Sequence, residues 1–139
     1  MKKESTDMNH ATSKKRILIV EDDPAVMKIF STVLTHNGYE VTTATNALPA
    51  LFRVTQHPPD LILADLKMPA MDGLEMIGQF KAHVDTRDIP IVVVTGSASE
   101  ETRAAAFKAG CAGFLAKPVN PAELLAQVAG LLPHEKNQA

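Results

Sequence analysis

Residues 16–38 read RILIVEDDPAVMKIFSTVLTHNG, and this stretch decides the fold. Arg16–Val20 is a continuous apolar run, the pattern of a strand covered on both faces rather than one. Glu21-Asp22-Asp23 ends it. Val26, Ile29, Phe30, Val33 and Leu34 then recur at i, i+3, i+4, i+7 and i+8, one face of a helix. Asp23-Pro24 supplies a cap and a first-turn proline, and Asn37-Gly38 supplies a left-handed stop. The unit is a buried strand, an acidic turn and a helix.

Outward from there the unit repeats. LILA at Leu61–Ala64 and IVVV at Ile91–Val94 are continuous apolar runs, with weaker ones at Glu40–Ala44 and Gly113–Ala116. Leu48, Leu51 and Val54 mark a second helix, and Leu74, Ile77, Phe80 and Val84 a third. A fourth, alanine-rich helix starts near Ser97-Ala-Ser-Glu100, a capping-box spacing, and stops at Gly110. A fifth opens at Asn120-Pro121 and presents Leu124, Val128, Leu131 and Leu132. Successive strand ends lie 20 to 30 residues apart, enough for a crossover helix and too far for a hairpin. The expected class is α/β: a doubly wound five-stranded parallel sheet of flavodoxin-like order 2-1-3-4-5, with helices on both faces.

Composition sets limits on function. The chain has 139 residues, 45% hydrophobic and 22% charged, which is one globular domain. Residues 1–14 read as a disordered lead-in, 15–133 as the domain and 134–139 as a short tail. Cys111 is the single cysteine, so no internal disulfide can form; it reads as a buried small hydrophobe. The five histidines are scattered and none pairs with another at zinc-ligand spacing. The net charge is −2, and residues 1–16 carry a balance of +3, so the remainder is acidic and unsuited to nucleic acid. No apolar run can cross a bilayer, and the N-terminus lacks a secretory core, so a cytoplasmic protein is expected.

Ligands of an open parallel sheet sit beyond the carboxyl ends of its strands, where the strand order reverses. The residues found there are Glu21, Asp22 and Asp23, then Asp65, Thr95 and Lys117-Pro118. Each has a plain reading. Asp23 before Pro24 suits a helix cap, Thr95 a turn, and Lys117 a solvated loop. Together they say more. Carboxylates converging on one rim repel unless a cation neutralises them, and hard oxygen donors suit Mg²⁺. A carboxylate nucleophile, a divalent cation, a lysine and a hydroxyl are the parts needed to form an aspartyl-phosphate.

The segments ILIVEDDP, LILADLKMPAMDGLEMI, IVVVTGSA and GCAGFLAKPVNPAEL closely resemble the receiver domain of two-component response regulators, from about Arg16 to Leu132. The resemblance implies that Asp65 accepts a phosphoryl group from a phosphohistidine of a histidine kinase or a histidine phosphotransfer protein. It implies that Asp22 binds Mg²⁺, that Glu21 does so directly or through water, and that the carbonyl of Lys67 completes the protein ligands with Asp65. Thr95 would hydrogen-bond the phosphoryl group and Lys117 would pair with it, across a Lys117–Pro118 peptide that is commonly cis. Pro69 and Gly73 would shape the loop after Asp65, with Asp72 and Glu75 as cap and N3 of the third helix.

Two positions depart from the commonest pattern of that family. Phe114 occupies the place of an aromatic switch that is usually Tyr or His; it either swings behind Thr95 or stays in the core. Lys67 either reaches the phosphoryl group or faces solvent. The resemblance further implies output through the fourth helix, fifth strand and fifth helix, with a homodimer as one option there. Only self-directed phosphotransfer and slow autodephosphorylation are expected, not turnover of an external substrate. A haloacid dehalogenase-type phosphatase is disfavoured, because Glu21 stands where the nucleophile should be and Pro24 where a threonine should be. A flavin or nucleotide domain lacks its glycine-rich loop. Two alternatives stay open: part of a longer regulator with an output domain, and a receiver-like module that is not phosphorylated.

Overall fold

The computed structural model of the protein describes residues 14–67 and 72–132; the expected lead-in before residue 14, Pro69 and the expected tail lie outside the described residues. In chain order the elements are β1 (Arg16–Val20), α1 (Pro24–His36), β2 (Glu40–Ala44), α2 (Ala47–Gln56), β3 (Leu61–Ala64), α3 (Gly73–Ala82), β4 (Ile91–Thr95), α4 (Glu100–Ala109), β5 (Gly113–Ala116) and α5 (Pro121–Leu131). The strands form one sheet in the order β2-β1-β3-β4-β5, and every neighbouring pair is parallel. This is the fold expected from the sequence.

Two apolar layers hold it. On one face Leu18, Val20, Ile62, Ala64 and Val93 meet Ala47, Ala50 and Val54 of α2, Met76, Ile77 and Phe80 of α3, and Ala106 of α4. On the other, Ile17, Ile19, Leu61, Leu63, Val92 and Val94 meet Phe30 and Leu34 of α1 and Leu124 and Val128 of α5. Alternate residues of β1, β3 and β4 thus feed opposite layers, which is why those strands are apolar without interruption. Burial of each such Leu, Ile or Val side chain is worth about 1.5–3 kcal/mol.

The helix starts are fixed by caps. Asp23 Oδ1 accepts the Ala25 N–H at 2.9 Å, with Pro24 in the first turn, and the Asn37-Gly38 stop closes α1 with Gly38 at φ 93°. Asp72 caps α3 through the Leu74 N–H, with Glu75 in the first turn. Asn120 caps α5 through the Ala122 N–H.

Several details depart from expectation. The fourth helix is capped by Ser99, whose Oγ accepts the Thr102 N–H at 3.1 Å, and not by Ser97. The Ser97 N–H is already bonded to the Thr95 hydroxyl, which ties it to the strand end. Ile29 is exposed because the buried face of α1 centres on Phe30 and Leu34 with Val26, Met27 and Val33 beside them. In α2 the buried residues are Ala47, Ala50 and Val54, and Leu48 projects outward. Small alanines let this helix approach the sheet closely, and a count of large apolar residues overlooks them. Val84 is not helical; α3 ends at Ala82 and Val84 is exposed.

Candidate functional site

Three backbone hydrogen bonds carry the sheet one residue past its strands and set out the site. Glu21 N–H donates to Ala44 O at 3.0 Å, Asp65 N–H to Val20 O at 3.1 Å, and Lys117 N–H to Thr95 O at 2.9 Å. Since Val20 pairs with Ala64, the next residues, Glu21 and Asp65, stand side by side. Thr95 pairs with Ala116, which places Lys117 just beyond the hydroxyl. Four strand ends therefore supply one cluster, at the reversal of strand order between β1 and β3.

Lys117 joins its parts. Its Nζ lies 2.9 Å from Asp65 Oδ2 and 2.9 Å from Glu21 Oε1. The remaining oxygens of those buried acids are also bonded: Asp65 Oδ1 accepts the Lys67 N–H at 3.1 Å, and Glu21 Oε2 accepts the Asp23 N–H at 3.1 Å. Asp22 differs. It is exposed, and it makes no hydrogen bond or ion pair among the described residues. One carboxylate oxygen from each of Glu21, Asp22 and Asp65 falls within 4.8 Å of the others.

Burial raises the Glu21 pKa, against the Lys117 hydrogen bond, the Asp23 N–H and the Lys117 charge, which lower it; the Asp65 charge adds to the rise. For Lys117 the largest single effect, burial, lowers the pKa, but the hydrogen bonds and charges of Asp65 and Glu21 together outweigh it and leave it raised. Three carboxylates face a single ammonium, an uncompensated negative surplus. The donors are hard oxygens, and Asp22 has no competing partner among the described residues, so the set fits a hard divalent cation such as Mg²⁺.

The other expected residues are placed as follows. Thr95 is the last residue of β4 rather than the one after it, and it is fully buried; its Oγ1 accepts the Ser97 N–H at 3.2 Å. The Lys67 side chain is exposed. The Lys117–Pro118 peptide is cis. Phe114 is buried on β5, packed in the layer that contains Ala106 and Cys111. Cys111 is buried, and burial pushes its thiol pKa up, as for a small hydrophobe. Asp23 acts as a cap and stays out of the acidic cluster. The sequence reading missed that Lys117 bridges Glu21 and Asp65. The available sign was one lysine at a rim of acids, where it must satisfy the buried ones.

Comparison with known proteins points one way. A family model for the response regulator receiver domain matches residues 17–129. Transcriptional regulatory protein KdpE of Staphylococcus aureus is 39% identical over 115 residues, which is 83% of this chain and 48% of that protein. The chain thus spans about half the length of that relative. Among solved structures, chemotaxis protein CheY4 of Vibrio cholerae superposes with a TM-score of 0.81 at 30% identity, covering 86% of this chain and 99% of that one. The receiver domain of sensor histidine kinase PA1611 of Pseudomonas aeruginosa does so with a TM-score of 0.79 at 30% identity, covering 85% and 97%. That structure has a magnesium ion coordinated in its active-site cleft.

Proposed function

The chain belongs to the response regulator receiver domain family, and from that we propose that it is a phosphoacceptor whose Asp65 takes a phosphoryl group from a phosphohistidine. The observation that carries this reading is the Lys117 ammonium held 2.9 Å from both Asp65 and Glu21, beside a third carboxylate. An Asp65 carboxylate oxygen attacks phosphorus. The P–N bond breaks, and its electron pair leaves with the imidazole of the donor, a histidine kinase or histidine phosphotransfer protein.

Each neighbour has a task that its present contacts support. Glu21, Asp22 and Asp65, with the Lys67 carbonyl, would hold Mg²⁺, which when bound neutralises charge on the phosphoryl oxygens. Lys117 exchanges Asp65 Oδ2 for a phosphoryl oxygen and keeps an anionic partner throughout. The Thr95 hydroxyl accepts from Ser97 and donates to no described residue, so its proton is available to the phosphoryl group. Output runs through α4, β5 and α5 to a protein partner or a second copy. The protein phosphorylates and slowly dephosphorylates itself, without turning over an external substrate.

The experiment is intact-mass spectrometry after incubation with acetyl phosphate, with and without Mg²⁺, on wild type and Asp65→Asn. One phosphoryl adduct is expected, and only when Mg²⁺ and Asp65 are both present. An unmodified wild type would leave a receiver-shaped binding module that works without phosphate.

A further inference from the structure

Among the described residues, the Arg103 side chain has no anionic partner. Glu100 lies one turn earlier on α4, yet the Arg103 side chain makes no ion pair or hydrogen bond among the described residues. Its guanidinium carbon instead stands 5.2 Å from the ring centre of Phe107 and 5.8 Å from that of Phe114. Both distances are inside the roughly 6 Å at which a ring quadrupole attracts a cation. Phe107, four residues along the same helix, is 40% exposed, whereas Phe114 on β5 is 8% exposed. One guanidinium thus connects a surface ring on α4 with a core ring on β5.

Phe114 stands where events at the site would be felt. Val93 pairs with Phe114, and Thr95 with Ala116. Residues two apart on a strand share a face, so Phe114 lies on the Thr95 side of the sheet, one pair further from the strand ends. A phenyl ring has no hydrogen-bonding group of its own. Among the described residues, Arg103 is the cation stacked on it, so the ring's position is biased by that contact as well as by burial.

We propose that Arg103 is a positioning residue for Phe114: it favours the ring arrangement that accompanies the Lys117–Asp65 ion pair and couples that ring to the α4 surface around Phe107. The proposal rests on the phosphoacceptor reading above. Phosphorylation draws Lys117 away from Asp65 Oδ2 and engages the Thr95 hydroxyl, which changes the packing behind β4 and β5. A contact that stabilises the earlier arrangement opposes that change, so its loss must strengthen binding of a phosphoryl mimic by the same factor.

Fluorine NMR on protein labelled with 4-fluorophenylalanine tests this. The chain has five phenylalanines, and Phe114→Leu assigns the resonance of interest. In wild type, beryllofluoride with Mg²⁺ should shift the Phe114 signal. Arg103→Met keeps the apolar stem and removes the charge. It should move the free-state signal toward its beryllofluoride position and tighten beryllofluoride binding about two- to fivefold, the size of an exposed cation–π contact. Arg103→Lys, which keeps a cation, should stay closer to wild type. An unchanged Phe114 signal and unchanged affinity in Arg103→Met would overturn the proposal, leaving the arginine as a cover for the ring. A wild type that takes up no beryllofluoride would instead defeat the phosphoacceptor reading, and the proposal with it.

Discussion

The charge on Glu21 is held unfavourably, because its burial exceeds what Lys117 and the Asp23 N–H restore. The consequence for stability has a definite sign. A carboxylate whose folded pKa lies above its unfolded value contributes stability that is complete below the unfolded value and lost as pH rises through the folded one. For Glu21 that loss begins above the ordinary value of 4.5. Urea unfolding of wild type and Glu21→Gln from about pH 4 to about pH 7 should therefore show the difference swinging toward the glutamine variant as pH rises. A difference independent of pH would contradict it. Lys117 behaves similarly at the other end of the scale, its contribution lasting until pH passes its raised value, above 10.5. Lys67 bears on the phosphorylated state proposed above. Its side chain is exposed two residues beyond Asp65, and on the proposed reading it screens the phosphoryl group, so the Lys67→Asn phosphoprotein should decay about two- to fivefold faster, the effect of one exposed charge. Equal decay of the two adducts, followed by intact mass, would assign Lys67 to solvent alone.

Helix α3 holds two glycines with opposite demands. A Cβ at Gly73 would run into the Leu66 Cα and come within 2.8 Å of the Leu66 carbonyl oxygen, whereas one at Gly78 meets nothing within 4 Å. The Gly73 N–H also donates to Leu66 O at 3.1 Å, which binds the helix start to the residue after Asp65. Gly73→Ala should cost about 1–3 kcal/mol and slow phosphorylation by displacing Asp65. Gly78→Ala, at an exposed helical position, should add about 0.5–1 kcal/mol and leave phosphorylation unchanged. Chemical denaturation with acetyl phosphate kinetics on both variants separates the two effects. The same scale shows what the sequence could disclose. The Asp23-Pro24 and Asn37-Gly38 signals fix the ends of α1, because caps are local chemistry. The buried side of α2 was legible at Val54 and Leu51 but not at Ala47 and Ala50, which owe their burial to how closely the sheet approaches. The Ser97 cap failed for a related reason, since its N–H was needed by a hydroxyl on the preceding strand.

At the scale of the molecule, the uninterrupted apolar runs are the three inner strands of the sheet, and the weaker runs are its edges, β2 and β5. Edge position lowers the demand for apolar residues, so strand strength in the sequence already separated inner strands from edges. Among the described residues, no helix is long and apolar enough to cross a membrane. The acidic surplus predicts a global response to metal. Mg²⁺ at ten times its dissociation constant should stabilise the protein by about 1.4 kcal/mol, as for any ligand that binds only the native state. Asp22→Asn should lose most of that gain in thermal unfolding, and an equal gain in both proteins would place the ion elsewhere. Among the described residues, Lys117 alone puts a counter-charge on Glu21 and Asp65, and it lies just beyond the last strand, 52 residues after Asp65. In chain order that lysine follows every strand that contributes to the burial of the two acids, so Glu21 and Asp65 gain their counter-charge last. Docking of β5 on β4 is thus the step that brings one ammonium to both acids.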